Sequence, residues 1–149
     1  MSDFIFTVKT NLRETIDHLR YVIKKTEETH AAVIQFDLAN QIARSEELAH
    51  MSHLLKQAVD KHVSFFCTRY EKHDKATIEQ CLAEHHDDRE LHGLVSTFRA
   101  LNSDFEVKLE RLIANNTAAK EHVDSAMEGF GVEKQDPNKN KRKNTFYGR

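Results

Sequence analysis

One stripe of residues between Leu91 and Phe130 constrains this chain more than any other feature. Leu91, Leu94, Phe98, Leu101, Phe105, Leu109, Leu112, Asn116, Ala119, Val123, Ala126 and Phe130 follow one another in steps of three and four. There is one shift in phase between Leu101 and Leu109, and the spacing is that of one face of an α-helix. A helix over about 88–130 would be roughly 65 Å long at 1.5 Å per residue. Nothing so long and narrow buries its stripe alone. It needs helices of matching length beside it, or a partner from outside.

The first 128 residues hold a single breaker, Gly93, because the other three glycines and the one proline lie at or beyond Gly129. A turn-rich β fold is thereby excluded and long helices are favoured. At 149 residues the chain is long enough for one domain with a real core. Charged residues make up 31% of it and the mean hydropathy is −0.66, so much of the surface is solvated. No run is long and apolar enough for a membrane span, and the N-terminus has no signal-like apolar core. Stable membrane insertion is therefore not expected, and two reduced thiols, Cys67 and Cys81, fit a cytoplasmic protein.

The formal charge of −2 is unevenly spread. Lys139, Lys141, Arg142, Lys143 and Arg149 are accompanied by no acid after Pro137, so this end carries +5 and the body −7. A basic run on an acidic body, without a folded basic face, reads as a solvated tether, and no nucleic-acid partner is expected.

Taken in order, Ser2-Asp3 offers an N-cap for a first helix to about Gln35. Its face is Val8, Leu12, Thr15, Ile16, Leu19, Val22, Ile23, Thr26, His30 and Val33. Phe36-Asp37 is the expected turn, with Asp37 capping a second helix over about 38–72. The second stripe is Leu38, Ile42, Ser45, Leu48, Ser52, Leu55, Val59, Val63 (or His62) and Phe66. The alternative is one unbroken helix over 3–72, which would demand a dimeric coiled coil. Asp74 and Thr77 are placed to cap a short corner helix around Ile78, Cys81 and Leu82. Asp87 with Glu90 reads as the capping box of the long last helix, which Gly129 or Gly131 would end. The expected fold is all-α: an elongated antiparallel bundle of three long helices and a short corner helix over 1–131. Residues 132–149 then form a basic tail, expected to be disordered. Phe146 and Tyr147 in such a tail suit a docking motif.

Three sites compete with bland readings. His50 and His53 lie one turn apart, and His85, His86 and His92 gather near the corner. Helical metal sites use such spacing, but the ordered His and carboxylate pairs of a hemerythrin-like site are missing, so neither metal nor cofactor is expected. Ser52-His53-Leu54-Leu55-Lys56 resembles the phosphotransfer motif His-x-Leu-Lys-Gly, with Gln57 in place of the glycine. Asn115-Asn116 interrupts the long stripe, either to fix register or because that part of the stripe faces a ligand helix.

The whole arrangement resembles a flagellar export chaperone of the FlgN type. Glu27-Glu28 and Phe36-Asp37-Leu38 are similar to the acidic turn after that family's first helix. Leu112-Ile-Ala-Asn-Asn116 is similar to its Asn-containing last helix. Thr145-Phe-Tyr-Gly148 resembles its terminal Tyr-Gly motif, although Arg149 stands where the family has another Gly. The resemblance implies a non-enzymatic type III secretion chaperone that binds C-terminal amphipathic helices of hook–filament junction proteins and delivers them to the export gate. It implies client contacts on Leu101, Phe105, Leu109, Leu112 and Asn116. Phe146, Tyr147 and Gly148 would meet the cytosolic domain of the gate. A histidine phosphotransfer module using His53 and a coiled-coil adaptor are the alternatives.

Overall fold

The computed structural model describes residues 2–129, which form four helices and no strand: α1 (Ser2–Ile34), α2 (Leu38–Phe66), α3 (Lys75–Glu84) and α4 (Arg89–Gly129). Helix α1 packs against both α2 and α4. It buries Val8, Leu12, Ile16, Leu19, Val22, Ile23 and Val33 as its stripe requires, and adds Ile5 and Ala32. Threonines share that buried face at little cost. The Thr15 and Thr26 hydroxyls donate to Asn11 O and Val22 O, four residues back, both at 2.8 Å.

Ion pairs fix the relative directions. Lys25 on α1 meets Glu47 on α2, and Glu14 meets Lys61, so α1 and α2 are antiparallel. Lys9 meets Asp88, Glu27 meets Lys108, and His30 meets Asn115, so α1 and α4 run the same way. Two apolar clusters lie between the helices. The first joins Val8, Leu12, Phe66, Tyr70, Leu82 and Leu91. The second joins Leu19, Val22, Ile23, Leu55 and Phe105, with Leu48, Phe98, Leu101 and Leu109 packed against it.

The turn falls at Phe36-Asp37, which rules out an unbroken helix over 3–72. Phe36 sits at φ 55°. Its N–H donates to Val33 O at 3.1 Å, and the Asp37 N–H donates to Ala32 O at 3.0 Å. This is the Schellman arrangement that usually ends on glycine. Asp37 then accepts from the Asn40 N–H at 3.2 Å and starts α2.

Two expected boundaries differ. Helix α2 stops at Phe66, short of residue 72, with Cys67 as its C-cap. Leaving the helix there lets Tyr70 stack on Phe66, 4.7 Å between ring centres, and give its hydroxyl hydrogen to Glu84. Helix α4 is capped by Asp88, whose Oδ1 accepts from the Leu91 N–H at 3.0 Å; the cap is not Asp87. Glu90 does not turn back to complete a box, because Arg13 at 2.7 Å and Lys9 at 3.1 Å draw it to α1. The corner helix forms as expected, and Asp74 and Thr77 make a reciprocal capping box.

Candidate functional site

The stripe of α2 is only partly buried. Leu55, Ala58, His62 and Phe66 are buried, and Leu48 and Met51 are half-buried. Towards the turn Gln41, Arg44 and Glu47 occupy the half-buried inward face, and Leu38 and Ile42 stand beside it in solvent: Leu38 is 71% and Ile42 63% exposed. Ile34 at the end of α1 is 57% exposed and Phe36 in the turn 63%. Four large apolar side chains within nine residues thus stand in solvent at one end of the hairpin. Isolated exposed apolar residues are ordinary, but a group of them marks an interaction surface.

Phe36 adds a backbone argument. A left-handed conformation costs a residue with a Cβ roughly 1–2 kcal/mol relative to the right-handed one. Here the cost falls on a phenylalanine that stays mostly in solvent. Acidic and basic residues flank the patch. Lys25 is held by Glu47 at 2.6 Å and Glu28 at 3.0 Å, and Arg44 pairs with Glu47 at 2.7 Å. The Lys25 hydrogen bond is the main cause that lowers the Glu47 pKa below the usual carboxylate range. The same bond raises the Lys25 pKa.

On α4, Phe105 and Leu112 are buried, Leu101 and Leu109 half-buried against the second cluster, and Asn116 exposed. Three of the five residues expected to meet a client therefore belong to or pack on the cluster shared with α1 and α2, and Leu112 is buried as well. Asn115 still reaches α1, with Nδ2 at 2.6 Å from His30 Nε2. Helix α4 continues to Gly129. Phe146, Tyr147 and Gly148 lie outside the described residues.

His53 is exposed, and its Nε2 lies 3.2 Å from Gln57 Nε2. Lys56, the cation of the phosphotransfer-like pattern, pairs instead with Asp60 at 3.3 Å. His50 is exposed as well. At the corner, His92 points its Nε2 at Leu82 O and His85 O, both at 3.1 Å. Two carbonyl acceptors commit that nitrogen to carrying the proton, so His92 closes the C-terminal end of α3. Among the described residues no group of three or more His, Cys, Asp or Glu side chains is arranged to hold a metal ion. Cys67 is exposed, Cys81 buried, and both are free thiols.

A cavity of about 110 Å³ opens where α3 meets the other helices. Leu12, Val59, Ile78, Leu82, Val95 and Phe98 are among its walls, and Thr15 and His62 are buried polar residues there. The His62 ring makes an edge contact with His73, 5.2 Å between centres, and lies 6.3 Å from Phe66. Burial, and secondarily the His73 charge, push its pKa down to about 4. His62 Nδ1 has no hydrogen-bond partner, which costs about 1–3 kcal/mol for a buried group.

Sequence reasoning missed the turn patch because Leu38 and Ile42 keep steps of three and four with the rest of α2, although two successive steps of three between Ile42 and Leu48 carry them off the inward face. Its signal was the alternation Ile34-Gln-Phe-Asp-Leu38, which places an apolar side chain on both sides of the turn. His62 was legible as an alternative to Val63 in the α2 stripe, since Leu55, Val59, His62 and Phe66 keep helical spacing. The chain matches no protein-family model, no curated protein and no solved structure.

Proposed function

We propose that this chain is a cytoplasmic secretion chaperone of the flagellar type III kind, which holds an amphipathic helix from a hook–filament junction protein. The observation that carries the reading is the uncovered apolar group Ile34, Phe36, Leu38 and Ile42 at the α1–α2 turn. An amphipathic helix docks by apolar anchors at i, i+3, i+4 and i+7, and Leu38 and Ile42 supply the matching one-turn spacing. In this reading Leu101, Phe105, Leu109 and Leu112 hold α4 in place. The client meets α4 at the exposed Asn116. No described helix is long and apolar enough to cross a membrane, which accords with a carrier that works off the membrane.

Phe146, Tyr147 and Gly148 supply the second contact, with the cytosolic domain of the export gate. One molecule then bridges client and gate, and the first contact raises the effective concentration for the second. Calorimetric titration of the full chain with C-terminal segments of junction proteins tests the reading. One-to-one binding with a negative heat-capacity change supports it; a folded chain that binds none of them refutes it. Tyr147→Ala weakens gate binding and leaves client binding unchanged, and equal gate affinity of both forms removes the role given to the tail.

A further inference from the structure

We propose that residues 67–88 form an acid-released latch: when the packed His62–His73 pair takes up a proton, this corner, α3 included, lifts off the other three helices while they stay folded. The device is separate from the apolar turn and stands whether or not the chain is a chaperone. His73 lies in the stretch that leads into α3. Its ring meets His62 edge-on, 5.2 Å between centres, and Phe66 edge-on at 5.0 Å. The corner is thus seated on α2 in part through a pair of imidazoles. His62 is 8% exposed and His73 half-buried. A protonated imidazole donates from both nitrogens, and His62 Nδ1 has no acceptor. His92 differs, because its Nε2 already faces two carbonyls.

Both histidines border the corner cavity, and among the described residues no carboxylate belongs to its wall. From α1 the wall presents Val8, Leu12 and Thr15, from α3 the Cys81 thiol, and from α4 Arg99, a cation engaged by Glu79 at 2.8 Å. A charge on His62 would stand there without a counter-ion. Asp74 adjoins His73 and favours its proton, but burial opposes that proton more strongly. Burial, and secondarily the His73 charge, hold the His62 pKa at about 4 against an ordinary 6.5. An open corner restores ordinary values, so acid favours opening. The corner yields first because it is the most lightly held. Helix α1 packs along α2 and α4, and α3 makes no comparable approach to any other helix. Cys81 and Leu82 in the first cluster, the Tyr70 hydroxyl on Glu84 and the exposed Glu79–Arg99 pair hold it down, and such an exposed ion pair contributes little. A segment held in this way opens at lower free energy than the whole fold.

The test is amide hydrogen exchange of the full chain at pH 7 and 5, corrected for the chemical exchange rate and repeated in urea below the unfolding midpoint. Amides of residues 78–84 are expected to lose at least tenfold in protection between pH 7 and 5. His62 alone supplies about twentyfold, from a folded pKa of about 4 and an ordinary 6.5. At pH 5 these amides are expected to exchange at least tenfold faster than those of residues 19–26, with less than half their urea dependence. His62→Phe keeps a ring and removes the proton site, and is expected to shrink the acid loss at least fivefold. Equal protection of 78–84 at both pH values would overturn the proposal. So would one opening free energy and one urea dependence shared by α3 and α1, because the corner would then open only with the whole fold. Both outcomes are read in the parent chain, so the test stands if His62→Phe does not fold. An undiminished acid loss in a folded His62→Phe would overturn the proposal as well.

Discussion

Lys25 on α1 reaches Glu47 on α2 at 2.6 Å, and the packing of the hairpin changes at that level. Beyond Glu47 in the chain, Leu48, Met51 and Leu55 turn into the core around Leu19, Val22 and Phe105. Before it, Leu38 and Ile42 lie about 80–120° round the helix from Leu48 and touch solvent. An apolar pair turned away from its own hairpin is what a surface for another molecule requires.

That division gives opposite expectations for the two halves of the stripe. Phe105→Ala should cost about 3–5 kcal/mol, as large aromatic deletions in cores do. Leu38→Ser and Ile42→Ser should each stay within about 0.5 kcal/mol. Urea denaturation of the three variants measures this, and a large loss at Leu38 or Ile42 would show that these side chains support the fold.

Phe36 carries a backbone cost with little packing return, at φ 55° and 63% exposed. Phe36→Asn should therefore raise stability by about 1 kcal/mol, because asparagine tolerates the left-handed conformation. The same change should weaken binding of an amphipathic partner helix. A variant that gains stability and loses binding separates the two roles of the residue in one pair of measurements.

Gly93 sits in the first turns of α4, and a Cβ built there meets nothing within 4 Å. Gly93→Ala should stabilise the chain by about 0.5–1 kcal/mol through helix propensity and a less disordered unfolded state. Thermal and urea midpoints should both rise.

His62 makes stability depend on pH. Its folded pKa is about 4, against an ordinary 6.5, with burial the larger cause. Between these values the unfolded chain holds a proton that the folded chain refuses. Stability therefore falls as pH drops from about 6.5 towards 4, by about 2 kcal/mol between pH 7 and 5 at 1.36 kcal/mol per pKa unit. His73, half-buried beside it and shifted down by burial, adds in the same direction. Arg99 and Cys81 are the other ionisable groups of the cavity wall. Urea denaturation at pH 7 and 5 should show a smaller drop for His62→Phe than for the parent chain.

Much of this fold was legible. The single early glycine and the stripes with steps of three and four identified the helices. Asp37 and the Asp74–Thr77 pair identified two of their starts. What was not legible depended on relations between helices. Glu90 has the right spacing for a capping box, and only the nearness of Lys9 and Arg13 diverts it. Phe66 ends α2 because Tyr70 folds back onto it, which helical periodicity cannot signal. Periodicity also says that Leu38 and Phe105 each belong to an apolar face, but not which face finds a neighbour. The corner cavity depends on how α3 closes over His62, and nothing in the spacing of Leu55, Val59, His62 and Phe66 reveals an empty volume.

The most direct test of the central claim is calorimetry with the double variant Leu38→Asp/Ile42→Asp beside the parent chain, titrated with C-terminal helices of hook–filament junction proteins. The account predicts one-to-one binding with a negative heat-capacity change for the parent. It predicts at least a hundredfold weaker binding for a double variant that keeps the parent's helicity and urea midpoint. Unchanged affinity in a folded double variant would contradict it, and the client surface would then have to lie elsewhere on the chain.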